Sequence, residues 1–171
     1  MPRLSRMKSD RRHSLWTDLN CPHFITAVTK DRVKIFADIV CAKSLIDEWK
    51  FYAKLYDVEL IAGVVMPDHF HIIIWPKGKK TFSDFMHGVK GYFAKWYGEE
   101  LIRRGTVAPP MDGKSYISKI WQDSFFDYVV PTDEKLNEKI EYILQNPIEE
   151  GFVTDWHEYP YIFLSEGYRA E

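Results

Sequence analysis

The chain has 171 residues, 46% of them hydrophobic and 16% aromatic, enough for one globular domain with a full core and too apolar for global disorder. A formal net charge of -2 gives no overall basic character, and the two cysteines, Cys21 and Cys41, form no CxxC pair, which excludes a zinc knuckle or a multi-bridge framework. They are expected to be reduced, buried thiols.

The charge is unevenly spread. Residues 1–13 carry five basic side chains (Arg3, Arg6, Lys8, Arg11, Arg12) against Asp10, whereas the chain from 132 onward holds ten acids and three bases. A basic arm over 1–15 suits either a nucleic-acid contact or a solvated tail. That opening has no apolar signal core, and no later apolar run approaches the roughly 18 residues a membrane span needs. A cytoplasmic protein with no membrane partner is expected.

In chain order, HFITAVT (23–29) has the β-branched and aromatic content of a strand. Residues 37–57 place Val40, Leu45, Ile46, Trp49, Ala53 and Tyr56 at near-helical spacing. VELIAGVVM (58–66) and HFHIIIW (69–75) are strand-like runs separated only by Pro67-Asp68, which reads as an antiparallel hairpin. After the loop PKGKK, residues 81–105 read as a helix with Phe82, Phe85 or Met86, Val89, Phe93 and Trp96 on one side and Gly105 as its cap. A loop over 106–116 precedes a fourth strand or extended segment at 119–130. Residues 131–147 form a third helix stopped by Pro147, and 148–171 is left as a C-terminal tail. The order strand, helix, strand, strand, helix, strand, helix predicts a single-domain α+β fold: a ferredoxin-like antiparallel sheet with packed helices and an added C-terminal helix.

Within the hairpin, strand alternation puts His69 and His71 on one face and Phe70 on the other. Imidazoles at i and i+2, about 6 to 7 Å apart at Cα, can converge on one ion, but a catalytic divalent ion needs at least a third protein ligand. On the last helix, Leu136, Ile140, Ile143 and Leu144 form the apolar stripe. Tyr142 lies about 140° from its centre, with Asn146 only about 40° from Tyr142. Gln145, about 60° away on the other side, is a weaker alternative. With Pro147 ending the helix, Asn146 would sit among free carbonyls, where a cation is welcome. If this helix docks on the histidine strand, His69, His71 and Asn146 could form a metal site beside Tyr142.

These residues resemble the single-tyrosine HUH transposases of small insertion sequences, and especially the REP-associated tyrosine transposases. The likeness runs through HFITAVTKDRVKIF, LIAGVVMPDHFHIIIWP, MHGVKGYFAKWY, IWQDSFFDYVV and YILQNPIEEGFV. It implies His69 and His71 as the HUH ligands, Tyr142 as nucleophile and Asn146 as the third, amide-bearing position. It further implies Mg²⁺ or Mn²⁺ as cofactor and single-stranded or hairpin DNA as partner, cut and rejoined through a 5′-phosphotyrosine. Relatives often carry a basic pair where this chain has Glu149-Glu150. The insertion-sequence branch exchanges the tyrosine helix between two subunits, so a homodimer is one arrangement the likeness allows.

Expected DNA contacts are the arm at Arg3, Arg6, Arg11 and Arg12, the loop lysines Lys77, Lys79 and Lys80, and the second helix through Lys90, Lys95, Arg103 and Arg104, where Tyr92, Trp96 and Tyr97 interleave. Gln122 and Asp123 could face the site, and Tyr128 is the next candidate nucleophile. Two other readings use the same fold: a nucleic-acid-binding or regulatory domain without catalysis, and a metal-binding domain with no nucleic-acid partner.

Overall fold

The computed structural model describes residues 21–110 and 120–168. The expected arm contacts Arg3, Arg6, Arg11 and Arg12 therefore lie outside the described residues. A five-stranded antiparallel sheet carries the fold, in the order β4-β1-β3-β2-β5, with β1 His23–Val28, β2 Val58–Met66, β3 His69–Pro76, β4 Phe126–Val129 and β5 Ile162–Leu164. The first four strands have the ferredoxin-like order, and β5 extends the β2 edge. The three helices are α1 Ile39–Tyr56, α2 Phe82–Arg103 and α3 Asp133–Glu149.

Side-chain alternation divides the core between the two faces of the sheet. Ile25 and Ala27 of β1 and Phe70, Ile72 and Ile74 of β3 pack with Leu45, Trp49 and Ala53 of α1 and Phe85, Met86, Val89 and Phe93 of α2. Phe24 of β1, Ile73 of β3, and Ile61, Ala62, Val64 and Met66 of β2 pack instead with Leu136, Ile140, Ile143 and Leu144 of α3. Of the three α-helices only α3 packs on that face, which it shares with Tyr159 and neighbouring residues of the C-terminal segment.

The helix ends explain the bounds. Asp38 accepts from the Val40 and Cys41 amides to start α1, Thr81 and Asp84 form a reciprocal capping box for α2, and Thr132 accepts from the Lys135 amide to start α3. Gly105 (φ 70) closes α2, with its amide donating to Ile102 and that of Thr106 to Leu101.

Four expectations need correction. Val40 is exposed, because α1 begins at Ile39 and its inward face is set by Cys41, Ala42, Leu45, Trp49 and Ala53. Cys41 is buried as expected but Cys21 is only half-buried. Pro147 does not stop α3. It lies inside the last turn, where its missing amide costs a single hydrogen bond, and the stop comes at Gly151 (φ 76), whose amide donates to Ile148 while that of Phe152 donates to Pro147. Consequently the Asn146 carbonyl is not free, since it accepts from the Glu150 amide. Finally, 148–171 is not a plain tail: β5 pairs with β2, and the Tyr159 hydroxyl donates to the Val65 carbonyl at 2.9 Å.

Candidate active site

The two-residue Pro67-Asp68 turn opens β3 directly on His69, in register with Met66 of β2 and Val28 of β1; His71 then faces Val64 and Thr26. Both imidazoles project on the α3 side, with ring centroids 4.9 Å apart. Each Nδ1 is held. His69 Nδ1–H donates to Asp68 Oδ1 at 2.6 Å, an acceptor-only carboxylate that leaves the Nε2 lone pair for a ligand. His71 Nδ1 lies 2.7 Å from Thr26 Oγ1, and the tautomer that donates to this hydroxyl frees its Nε2 in the same way. Burial, reinforced by His69 and Lys139, pushes the His71 imidazole down to about 3, so it stays neutral, as a metal ligand must be.

Asp68 is itself braced. Its carbonyl accepts from the Thr29 amide and hydroxyl, both at 2.9 Å, and its Oδ2 accepts from Arg32 Nη1 at 3.1 Å. Asp31 and Arg32 both hold left-handed backbone (φ 55 and 54), a conformation that costs L side chains energy and here places the guanidinium against Asp68. Burial pushes the Asp68 carboxyl up, but the bonds from His69 and Arg32 together hold it below the ordinary carboxylate range.

Helix α3 brings the second half of the site. The Tyr142 ring meets His71 edge-on at 5.2 Å and Phe24 at 5.8 Å between centroids, while 43% of the residue stays exposed. Nucleophile candidate and histidine pair therefore meet within one chain. Burial and then the Glu149 carboxylate raise the Tyr142 phenol above its usual range, hydrogen bonding by the Asn146 side chain opposes them, and Glu150 raises it further. Asn146, one turn on, is only 7% exposed, and its Oδ1 has no hydrogen-bond partner. A buried amide oxygen without a donor is costly, and it is the hard oxygen that a divalent cation takes beside two imidazoles. Among the described residues no group of three His, Cys, Asp or Glu side chains could hold a metal ion, so a third ligand to His69 and His71 drawn from them would be of another type, and Asn146 fits. Gln145 is exposed.

Other expected contacts fall elsewhere. Lys77, Lys79 and Lys80 follow the far end of β3, about 23 Å from its first residue at roughly 3.3 Å per residue. Lys77 pairs with Glu59 at 3.3 Å, and the Lys80 ammonium lies over Tyr56. Lys90 and Lys95 are on α2, across the sheet from Tyr142. Lys90 and Asp123 line a cavity of about 590 Å³ between α2 and residues 120–127, and Lys95 is 4.0 Å from Glu99. Arg103 and Arg104 are tied to Glu100, and Arg104 also to Asp38. Trp96 and Tyr97 pack partly against the core while Tyr92 is exposed.

Sequence reasoning missed Thr26, Asp68, Phe24 and Lys139 as parts of this site. Asp68 could have been suspected as the neighbour of His69, and Lys139 from its place about 60° from Tyr142 on the helical wheel. Thr26 and Phe24 depend on the β1–β3 register, which no local pattern reveals.

A profile of IS200-like transposases matches residues 19–146, from just before β1 through Asn146. The chain belongs to the IS200-like transposase family. Among relatives of this transposase is a Haemophilus influenzae (strain ATCC 51907 / DSM 11121 / KW20 / Rd) protein assigned as a REP-associated tyrosine transposase, 24% identical over 151 residues, which cover 87% of this chain and 82% of that one. A REP-associated tyrosine transposase solved bound to a REP hairpin shares the fold, with a TM-score of 0.64 at 19% identity over 84% of this chain and 76% of that one. Among the described residues of the transposase no helix is long and apolar enough to cross a membrane.

Proposed function

We propose that this transposase nicks and rejoins single-stranded DNA beside a hairpin through a 5′-phosphotyrosine at Tyr142. The observation that carries the reading is the contact of Tyr142 with His71, one helical turn from a buried, unpaired Asn146 Oδ1. His69 and His71, through Nε2, and Asn146, through Oδ1, are the residues that would hold Mg²⁺ or Mn²⁺. Bound there, the ion supplies Lewis-acid withdrawal of charge from a non-bridging phosphate oxygen.

The chain's own groups do the rest. Tyr142 Oη loses its proton to solvent and attacks phosphorus, forming the phosphotyrosine bond as the bond to the 3′ oxygen breaks; that oxygen leaves and is protonated to a 3′-hydroxyl. No bond energy is lost from the phosphoester, so reversal with another 3′-hydroxyl rejoins strands without a nucleotide cofactor. Thr26 and Asp68 keep both imidazoles oriented, and Phe24 limits the swing of the Tyr142 ring. Because the site assembles within one chain, exchange of α3 between subunits is not required. The hairpin bound by the structural relative supports folded single strands as the substrate.

The test incubates the protein with a pool of hairpin oligonucleotides carrying randomised single-stranded flanks, in Mn²⁺, followed by denaturing electrophoresis. A covalent adduct is expected with the native chain and none with Tyr142→Phe or with EDTA. An adduct persisting in Tyr142→Phe moves the nucleophile elsewhere, with Tyr128 next. The pair Glu149 and Glu150, which adds to burial in raising the phenol, favours a second reading, a DNA-binding domain without catalysis. Retarded hairpins with no adduct under any condition would select it.

A further inference from the structure

Lys139 stands one turn before Tyr142 on α3, and its ammonium is held over three rings that wall the site: 5.1 Å from the centroid of Phe24, 5.4 Å from Tyr128 and 5.9 Å from Tyr142. The rings come from β1, β4 and α3, so the position is fixed by the tertiary fold. Several described cations pair with carboxylates: Lys135 with Glu138, Lys77 with Glu59, Arg32 with Asp68, and Arg103 and Arg104 with Glu100; Lys80 and Lys90 also lie over rings, but on elements away from Tyr142. Among the described residues Lys139 makes no such ion pair. A cation on ring faces gains about 0.5 to 2 kcal/mol, keeps its N–H donors for an anion, and is not neutralised in advance.

We propose that Lys139 is the cation that binds the DNA phosphate presented to Tyr142, and that it neutralises the charge gathering there as the phenol attacks. This rests on the phosphotyrosine reading for its catalytic half only. A phosphodiester carries one negative charge, and a phenolate approaching it brings a second. With Glu149 and Glu150 adding negative potential at the phenol, a fixed positive charge within 6 Å of the ring is the chain's own compensation. The competing account is structural, with the aliphatic stem of Lys139 merely holding α3 against Phe24 and Tyr128.

Two variants separate the accounts: Lys139→Met keeps the stem and removes the charge, and Lys139→Arg keeps the charge. The first readout is the slope of log affinity against log salt for a 20-nucleotide oligothymidylate. Loss of one phosphate contact lowers that slope by about 0.7 for Met, with Arg close to native. An unchanged slope for Met, or no binding by the native chain, overturns the proposal. The second is the rate of adduct formation from the hairpin pool at saturating DNA. It is expected to fall on the order of 10²-fold in Lys139→Met and to recover to within about tenfold of native in Lys139→Arg. Met and Arg equally slow would assign Lys139 a packing role and overturn the proposal. If native adduct forms while Met matches native in both readouts, Lys139 alone falls. If no adduct forms at all but the slope still drops, the phosphotyrosine reading falls and the phosphate contact stands.

Discussion

At the scale of single residues, the Asp68–His69 pair shows how a two-residue turn can orient a side chain. Its carboxylate fixes the imidazole tautomer, and Arg32, held in left-handed backbone, fixes the carboxylate. Removing such an outer partner of a ligating histidine typically costs 10- to 100-fold in metal affinity. Asp68→Ala should therefore weaken Mn²⁺ binding by about that factor, read by calorimetry, while leaving the far-ultraviolet dichroism native; unchanged affinity would mean that His69 is not a ligand. That His69 and His71 share a face was legible from the strand period alone, because i and i+2 project to the same side. The place of Asn146 beside Tyr142 was legible from the helical wheel, but its carbonyl, expected to be free, accepts from Glu150, and the feature that fits a cation is its orphaned side-chain oxygen.

At the scale of elements, local patterns read well where periodicity was unbroken and poorly where an end depended on backbone geometry. The hairpin, α1, α2 and the two-sided strands follow from period and turn chemistry. The end of α3 did not, because proline is a strong breaker in a helix interior and a weak one in a last turn whose closure another residue supplies. Gly151 is that residue, at φ 76, with open space where a Cβ would go. Gly151→Ala should cost about 1 to 2 kcal/mol of stability from the left-handed conformation alone, measured by denaturant unfolding. A neutral result would show that Pro147 is the effective stop after all. Strand β5 was missed because three residues, Ile162–Leu164, are too short to show alternation and owe their conformation to the β2 edge they cover.

At the scale of the whole molecule, the sheet separates two kinds of polar burial. His71 is buried facing the site with a partner for Nδ1, whereas His23 is buried against Phe82 on the other face, rings stacked at 4.3 Å, and neither of its nitrogens has a hydrogen-bond partner. Burial pushes His23 down to about 4 from 6.5. The unfolded chain therefore takes up a proton between pH 6.5 and 4 that the folded chain refuses, and stability must fall as pH drops through that window. From His23 alone the loss at pH 5 relative to pH 7 is on the order of 2 kcal/mol. His71, pushed down to about 3, adds a loss of the same sign and similar size over this window, so His23→Phe should reduce the dependence of the urea midpoint on pH between 6.5 and 4 by about half, and an unaltered dependence would place its origin elsewhere. Below that window Glu100, held down to about 2 by Arg103 and Arg104, adds a further loss as pH falls from 4.5.

The two faces also differ in what they gather: α1 and α2 build a core on one side, and the other side brings histidines, phenol, amide and ammonium together where α3 packs. The most direct measurement is mass-spectrometric mapping of the protease-digested DNA adduct. A nucleotide joined by its 5′ phosphate to Tyr142, in a peptide from α3, is the result this structure predicts. A nucleotide on Tyr128 or any other side chain, or its attachment through a 3′ phosphate, would contradict it.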